Sequence, residues 1–190
     1  AAFYNSMNFL GTHDTPRIMT VLGASRVPES KDARAAYRLS PAERTRGTAL
    51  VKLAALILFS FPGSPTVYYG DELGLEGFED PLNRGTYPWG LGRYPLLSWF
   101  QMLGRLRRER AALQRGEIDY LYTSGPILAF ARRLPEERIV TVVNASDKSV
   151  PLMLPWTAPV VRDLLTGRKL HPRDGTLFLT LPPYGGLLLI

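Results

Sequence analysis

SPAERTRGTALVKLAALILFSFPGSPTVYYGDE, residues 40–72, contains a helix start, a long apolar run and a strand in succession. Ser40 can cap a helix, Pro41 suits its first position, and Glu43 can reach back to complete a capping box. The run that follows is apolar nearly all round, which is typical of a helix that packs on several sides. The Pro-Gly pair at residues 62–63 should end this helix, and the SPTVYYGDE after it favours a buried strand.

Further strand and helix signals lie on both sides of this stretch. They predict a buried strand over residues 3–11, a helix over 18–23 capped by Thr15-Pro16, a polar loop over 24–38, and a long helix over 95–115 that ends at Gly116. The alternation indicates a parallel α/β arrangement. Two such units are too few to close an eight-stranded barrel, so we expect further strands to precede this chain.

After Gly116 the sequence changes to short β-type runs separated by turn signals such as PEE, SDK, TGR and RDG. The runs cover residues 118–123, 127–133, 138–146, 150–155, 160–165, 176–181 and 186–190. This spacing predicts an antiparallel β-sandwich. We therefore predict two domains, the first over residues 1–116 and the second over 117–190.

Composition excludes several classes of protein. The chain has 190 residues, of which 45% are hydrophobic and 21% are charged, so disorder is not expected. It has no Cys, and only His13 and His171 offer imidazole, so neither disulfides nor a thiolate metal site can form and we expect no cofactor. No apolar run approaches the roughly 20 residues of a membrane span, and no signal peptide is apparent. We expect a cytoplasmic protein without a membrane partner.

The net charge of +6 raises the question of nucleic-acid binding. Much of the excess comes from the arginines of GRLRRERAALQR, residues 104–115, where leucines recur at helical spacing. This pattern predicts an amphipathic helix with a solvated basic face. Because no aromatic RNA-binding signature or helix-turn-helix pattern accompanies it, we do not expect a nucleic-acid partner.

The first candidate site lies in NFLGTHDTPR, residues 8–17, where His13 and Asp14 follow directly on a predicted strand. In an α/β barrel, active sites are built at this carboxyl end of the strands. The same residues allow a purely structural interpretation, in which Asp14 or Thr15 caps a helix and His13 bonds to the backbone. Spacing alone leaves both open.

The second candidate site follows the strand near residue 68. The loop after it carries Asp80, Arg84, Tyr87 and Trp89. Exposed aromatic rings beside carboxylate and guanidinium groups suit sugar recognition, because the rings stack on apolar sugar faces and the charged groups bind hydroxyls. A salt bridge that anchors the loop, with packed aromatics, is the alternative.

Together these stretches resemble the α-amylase family of glycoside hydrolases, most closely its neopullulanase and cyclomaltodextrinase branch. LGTHDTPR is similar to the family's histidine-aspartate motif after the seventh barrel strand, GSPTVYYGDELGLEG to the motif at the eighth strand, and DPLNR to the branch's substrate-binding loop. The resemblance implies the last part of a (β/α)8 TIM barrel followed by a C-terminal antiparallel β-sandwich domain.

The resemblance also implies roles for single residues. Asp14 would stabilise the oxocarbenium-like transition state, His13 would bind the sugar beside the cleaved bond, and Asp80 and Arg84 would hold a sugar further along. The substrate would be an α-glucan, and the reaction would be hydrolysis of α-1,4-glucosidic bonds in cyclodextrins, maltooligosaccharides or pullulan with retention of configuration. Transfer of the sugar to another sugar instead of water is a close alternative. Residues 69–72 would shape the barrel rim.

The family's nucleophile and general acid lie on earlier strands, and we find neither pattern in this sequence. We therefore expect the chain alone to be inactive, to need the N-terminal half of the enzyme as a partner, and to self-associate through the apolar surfaces that a closed barrel would cover. A different class of function stays open for residues 117–190, namely a structural or glucan-binding module in which Trp156 and Tyr184 are the candidate stacking aromatics.

Overall fold

The computed structural model describes residues 2–90 and 94–190. The chain forms two compact units. The first, here called the α/β unit, comprises Ser6–Leu58 and Gly63–Leu106. The second, the β unit, comprises Ala1–Asn5, Phe59–Pro62 and Arg107–Ile190. The domain boundary between residues 116 and 117 stays a prediction.

The first part of the chain alternates short strands with helices. Its elements are a 3-10 helix Ala2–Asn5, β1 Met7–Phe9, α1 Ile18–Gly23, α2 Lys31–Ala36, α3 Pro41–Ser60, β2 Ser64–Thr66, a 3-10 helix Asp71–Leu73, α4 Pro95–Glu109 and α5 Ala111–Arg115. β1 and β2 pair in parallel, with Met7 opposite Ser64. This pair and the helix between its strands confirm the predicted parallel α/β arrangement.

The capping box predicted at the start of α3 is present. The amide of Glu43 donates to Ser40 Oγ at 3.3 Å, and the amide of Ser40 donates to Glu43 Oε2 at 2.9 Å. Glu43 also accepts hydrogen bonds from Ser25 and from the Tyr37 hydroxyl. These bonds, first of all the one from Ser25, hold the pKa of Glu43 well below its usual range. This four-residue motif therefore fixes the start of α3, and Glu43 also holds Ser25 and Tyr37 against it.

The two predicted strands are shorter and more exposed than expected. β1 covers three residues, of which Met7 is 63% and Phe9 is 49% exposed. β2 ends at Thr66, so Val67 and Tyr69 lie beyond it. Within the described residues the sheet has only these two strands, so no further strand covers their apolar side chains. The prediction of buried strands was wrong on this point, and self-association through this surface stays a prediction.

Three local predictions were also wrong, two between residues 15 and 38 and one in the helix expected over residues 95–115. The segment at residues 24–38 is not all loop but contains α2, whose cap Ser30 accepts from the Ala33 amide at 3.1 Å. Thr15 is not a cap, because α1 begins at Ile18 and the Thr15 hydroxyl accepts from the Thr12 amide instead.

The helix expected over residues 95–115 breaks at Arg110, which is extended at φ −112° and ψ 109°. A tertiary contact explains the break. Glu137 accepts a hydrogen bond from the Ala112 amide at 2.7 Å and lies 3.7 Å from the Arg110 guanidinium. The Glu137 carboxylate thus satisfies an amide at the start of α5 and favours a new helix there.

The β unit is built of antiparallel strands. They are β3 Glu117–Ser124, β4 Ile127–Leu134, β5 Glu137–Asn144, β6 Val150–Pro155, β7 Val161–Arg162, β8 Lys169–Leu170, β9 Thr176–Leu181 and β10 Gly186–Leu189. One sheet has the order β10-β5-β4-β3, and β6-β9 and β7-β8 form pairs. Leucines of β6 and β9 pack with β4 and β5 in one buried core. The antiparallel β-sandwich is confirmed, and the two-residue β8 was too short to predict.

Two arginines in the β unit hold the end of α3. Arg132 is fully buried and donates twice to the Gly116 carbonyl, at 2.8 and 3.1 Å, and once to the Ser60 carbonyl, at 2.8 Å. Arg107 donates to the carbonyls of Phe59 and Phe61. Burial, and secondarily the positive charge of Arg107, lower the pKa of Arg132 to about 10. Positive charge at a helix C-terminus is favourable, so this cluster stabilises the end of α3.

In the part of the chain that the structure describes, every helix is too short or too polar to span a bilayer.

Candidate functional site

His13 and Asp14 lie in a turn after β1, in the α/β unit. The turn is closed by the Thr12 amide, which donates to Thr15 Oγ1 at 2.9 Å, and by the Asp14 amide, which donates to Thr12 Oγ1 at 3.1 Å. His13 Nε2 lies 3.3 Å from Asp14 Oδ2, and these side chains are 60% and 75% exposed. Both are therefore free to meet a ligand. Since α1 has no side-chain cap, the capping interpretation of Asp14 does not hold.

Arg17 lies beneath this turn and is 1% exposed. Its Nε donates to the Asn83 carbonyl at 2.7 Å, and its Nη1 donates to the Tyr69 carbonyl and lies 3.2 Å from Asp71 Oδ1. The guanidinium also stacks on the Tyr68 ring, 4.2 Å from its centroid. Arg17 thus links the first motif to the second through one buried group.

Asn83 forms the second link between the two motifs. Its fully buried side chain donates to the carbonyl of His13 at 2.7 Å and to the carbonyl of Thr15 at 2.8 Å. Asn83 belongs to the loop that carries Asp80 and Arg84. These two hydrogen bonds from the side-chain amide of Asn83 therefore hold that loop against the turn that presents His13.

Asp71 is 2% exposed and faces Arg17. Burial raises the pKa of its carboxyl to about 6, against the hydrogen bond and charge of Arg17, which lower it. Gly11 approaches the same carboxylate so closely that a Cβ on it would lie 2.8 Å from Asp71 Oδ2. The segment just after β1 is thus packed directly on this buried ion pair.

Asp80 and Arg84 form an exposed ion pair, with Asp80 Oδ1 2.5 Å from Arg84 Nε. Exposed pairs contribute little to stability, roughly 0–1 kcal/mol, so the buried side chain of Asn83 is the stronger anchor of the loop. Tyr69, which is 40% exposed, donates its hydroxyl to the Gly85 carbonyl at 3.0 Å. The polar groups of this loop and an aromatic face are therefore both open to solvent.

Trp89 is 82% exposed and its ring lies 4.5 Å from that of Tyr87. These two aromatics were named from the sequence, and in the structure Trp89 is exposed whereas Tyr87 is half-buried; their role in sugar binding stays a prediction. The residues that hold the site, Arg17 and Asn83, were not predicted. Their partners lie 52 to 70 residues away along the chain, so no local signal marks them.

A cavity of about 500 Å³ in the same unit is not lined by the predicted site residues. Its lining includes Arg34, Tyr37, Glu76, Phe78 and Tyr94, but not His13 or the Asp80–Arg84 pair. The exposed groups above form an open rim and not a closed pocket. Among the described residues, no three His, Asp or Glu side chains are grouped closely enough to hold a metal ion.

The buried carboxyl of Asp71 predicts a pH-dependent stability. Its pKa is about 6 in the folded chain against an ordinary value of 3.8, so the folded state binds the proton more tightly. This stabilisation is present in full below pH 3.8 and is lost as pH rises through about 6. We expect the free energy of unfolding of wild type, relative to Asp71→Asn, to fall by about 2.4 kcal/mol from pH 4 to 7.

Urea unfolding of both proteins at a series of pH values measures this difference, in which the other titrating groups cancel. A difference that stays constant over the range would contradict the raised pKa.

Two known domain families match the chain, one after the other. Residues 2–115 match the model described as the catalytic domain of alpha amylase. The chain belongs to the α-amylase family. Residues 120–188 of this α-amylase-family chain match the C-terminal domain of maltogenic amylase. The resemblance drawn from the sequence motifs is confirmed, and so is the order of a partial barrel followed by an antiparallel β domain.

Relatives of this α-amylase-family chain act on several glucans, as their names state. It is 34% identical to an amylopullulanase from Thermoanaerobacter thermohydrosulfuricus, over 99% of this chain and 13% of that protein. It is 32% identical to a cyclomaltodextrinase from Geobacillus thermopakistaniensis, over 96% of this chain and 28% of that protein. The chain thus spans less than a third of the length of these relatives.

The fold is similar to that of a solved Anoxybacillus α-amylase. The match has a TM-score of 0.81 and 27% identity, and covers 98% of this chain and 38% of that structure. Nearly all of the α-amylase-family chain therefore has a counterpart in a glycoside hydrolase of known structure.

Proposed function

We propose that this chain forms part of the glucan-binding rim of a retaining glycoside hydrolase that acts on α-1,4-glucosidic bonds of cyclodextrins, maltooligosaccharides or pullulan. The observation that carries the proposal is the pair of bonds from Asn83 to the carbonyls of His13 and Thr15. These bonds hold the turn with Asp14 against the loop with Asp80. The exposed pair His13 and Asp14 and the exposed pair Asp80 and Arg84 thereby form one rim.

Each exposed group has a role suited to its chemistry. The Asp14 carboxylate can accept hydrogen bonds from sugar hydroxyls and stabilise positive charge that develops at the anomeric carbon. His13, 3.3 Å from Asp14, can donate to the same sugar. Asp80 and Arg84 offer a carboxylate and a planar guanidinium for the hydroxyls of a sugar further along. Their exposure leaves these groups accessible to an oligosaccharide.

Bond cleavage with retention needs a carboxylate nucleophile and a carboxylic acid about 5–5.5 Å apart. Asp14 has one of the family's supporting roles and cannot fill both of these. Among the neighbouring carboxylates, Asp71 is buried against Arg17, and Asp80 is assigned with Arg84 to binding hydroxyls of a sugar further along. Glu72 accepts from the Gly70 amide at 2.8 Å. We therefore propose that catalysis requires a further segment that supplies the nucleophile and the acid.

Asp14→Asn tests the proposed role directly. We expect this change to weaken binding of maltotriose about tenfold or more, because hydrogen bonds to a charged group are lost or weakened. Isothermal titration calorimetry measures the dissociation constant. Asp32→Asn is the matched control, because Asp32 is an exposed acid on α2 outside the rim, and its binding should equal that of wild type.

The same proteins are then assayed for reducing sugar released from β-cyclodextrin and maltotriose. We expect none from the 190-residue chain. Equal affinities of wild type and Asp14→Asn would overturn the proposed rim. Hydrolysis that disappears in Asp14→Asn would instead overturn the requirement for a further segment, and Glu72 would be the next carboxylate to replace.

A further inference from the structure

The exposed aromatics of the β unit differ from those expected from the sequence. Trp156 is 5% exposed, and its ring is covered by the Arg138 guanidinium 4.9 Å from the ring centroid. Tyr184 is half-buried in a turn at φ 50°. Phe178 on β9, by contrast, is 59% exposed. Trp156 therefore cannot stack on a sugar, whereas Phe178 offers a free ring face.

Phe178 borders a cavity of about 510 Å³ that lies wholly within the β unit. Small-molecule pockets have volumes of roughly 300–1,000 Å³, so the cavity is of suitable size for a sugar. The turn between β7 and β8, strand β9 and the start of β10 line it. The polar and aromatic lining residues are Asp163, Thr166, Arg168, Phe178 and Thr180.

Asp163 makes one wall of this cavity rigid. Its Oδ1 accepts from the amides of Leu165 and Leu188, at 3.1 and 3.2 Å, and its Oδ2 accepts from the Thr166 hydroxyl at 2.6 Å. The carboxylate is 2% exposed and is satisfied by these donors. The β7–β8 turn is thus fixed to β10 in advance, which lowers the entropic cost of binding a ligand.

Arg168 projects from this fixed turn. Its backbone bonds to Asp163 and Thr166, but the structure gives no ion pair or hydrogen bond to its guanidinium within residues 2–90 and 94–190. The side chain is exposed. Because a guanidinium presents five donors in a plane, it can bind adjacent hydroxyls of one ligand. The Thr180 hydroxyl, also exposed on β9, adds a donor and an acceptor.

We propose that this cavity is a second α-glucan-binding site, in which Phe178 stacks on the apolar face of one glucose residue while Arg168 and Thr180 bind its hydroxyls. An aromatic face beside a free guanidinium and a hydroxyl matches the alternating apolar and polar surfaces of a neutral sugar. The choice of α-glucan as the ligand rests on the proposed function. The site itself lies in the β unit and uses none of the residues of the rim.

Phe178→Ala tests the site in the complete 190-residue chain. Titration with maltoheptaose is followed by NMR through the backbone amides of Gly185 and Gly186, which line the cavity. All titrations are done in the Asp14→Asn background, which weakens binding at the rim, and only the amides that line the cavity are used to fit the affinity. We expect both amides to shift on titration, and Phe178→Ala to weaken the fitted affinity about tenfold or more, because a large apolar contact is removed.

The matched control is Tyr120→Ala. Tyr120 on β3 is 58% exposed, as Phe178 is, and does not line the cavity. Tyr120→Ala should leave the maltoheptaose-dependent shifts of the Gly185 and Gly186 amides unchanged. A second variant, Arg168→Gln, should weaken binding while leaving the core of the β unit intact.

Two outcomes would overturn the site. The first is the absence of any maltoheptaose-dependent shift at Gly185 and Gly186. The second is equal affinity of Phe178→Ala and Tyr120→Ala for maltoheptaose. This holds also if size-exclusion chromatography shows that the only effect of Phe178→Ala is to abolish self-association. Neither outcome bears on the rim, because the rim is tested separately by the effect of Asp14→Asn on maltotriose binding.

Discussion

Arg17→Leu is expected to lower the free energy of unfolding by about 3–5 kcal/mol, because it leaves the Asp71 carboxylate buried without its charge partner. Arg17 is 1% and Asp71 is 2% exposed, so water cannot replace the lost interaction. The variant also loses the bonds to the carbonyls of Tyr69 and Asn83. Urea denaturation followed by circular dichroism measures the loss.

Arg26→Leu is the control for removing an arginine from the same unit. Arg26 is exposed, so its change should stay within about 0.5 kcal/mol of wild type. In an Asp71→Asn background, the cost of Arg17→Leu should shrink, since no buried charge is then left behind. A cost of Arg17→Leu that is the same in both backgrounds would show that the ion pair is not its cause.

Arg132→Met is expected to have an effect of similar size in the β unit. The change removes three hydrogen bonds to the carbonyls of Gly116 and Ser60 and leaves a buried acceptor at Gly116. Each buried unsatisfied group costs about 1–3 kcal/mol, so we expect a loss of about 2–5 kcal/mol. The same urea denaturation measures it.

The neighbouring Arg133→Met serves as the control for Arg132→Met. Arg133 is 54% exposed and forms a surface ion pair with Asp119, so its replacement should cost no more than about 1 kcal/mol. Equal losses for the two variants would mean that the buried bonds of Arg132 do not contribute as argued.

Local signals in the sequence predicted the features that depend on neighbours along the chain. Ser40 and Glu43 are three residues apart, so their capping box is visible in four letters. The strands of the β unit are short β-type runs separated by turn residues, so every strand of four residues or more was predicted, although clear inward and outward alternation occurs only in β6 and β9. The position of His13 and Asp14 after a strand was predicted in the same way.

Features set by distant partners were not predictable. Arg17 and Asp71 are 54 residues apart, and nothing near Arg17 in sequence indicates a buried ion pair. The break at Arg110 depends on Glu137, whose carboxylate bonds to Ala112 from 25 residues away. The exposure of Phe178 was missed because Phe in an alternating strand predicts burial unless its register is known.

The bonds of Asn83 give the rim a property that bears on protein engineering. Asn83 binds the main-chain carbonyls of His13 and Thr15, which every amino acid possesses. The spacing between the two loops is therefore independent of which side chains occupy positions 13, 80 and 84. Libraries that randomise these positions would vary sugar preference on a constant frame, provided that Asn83 is kept.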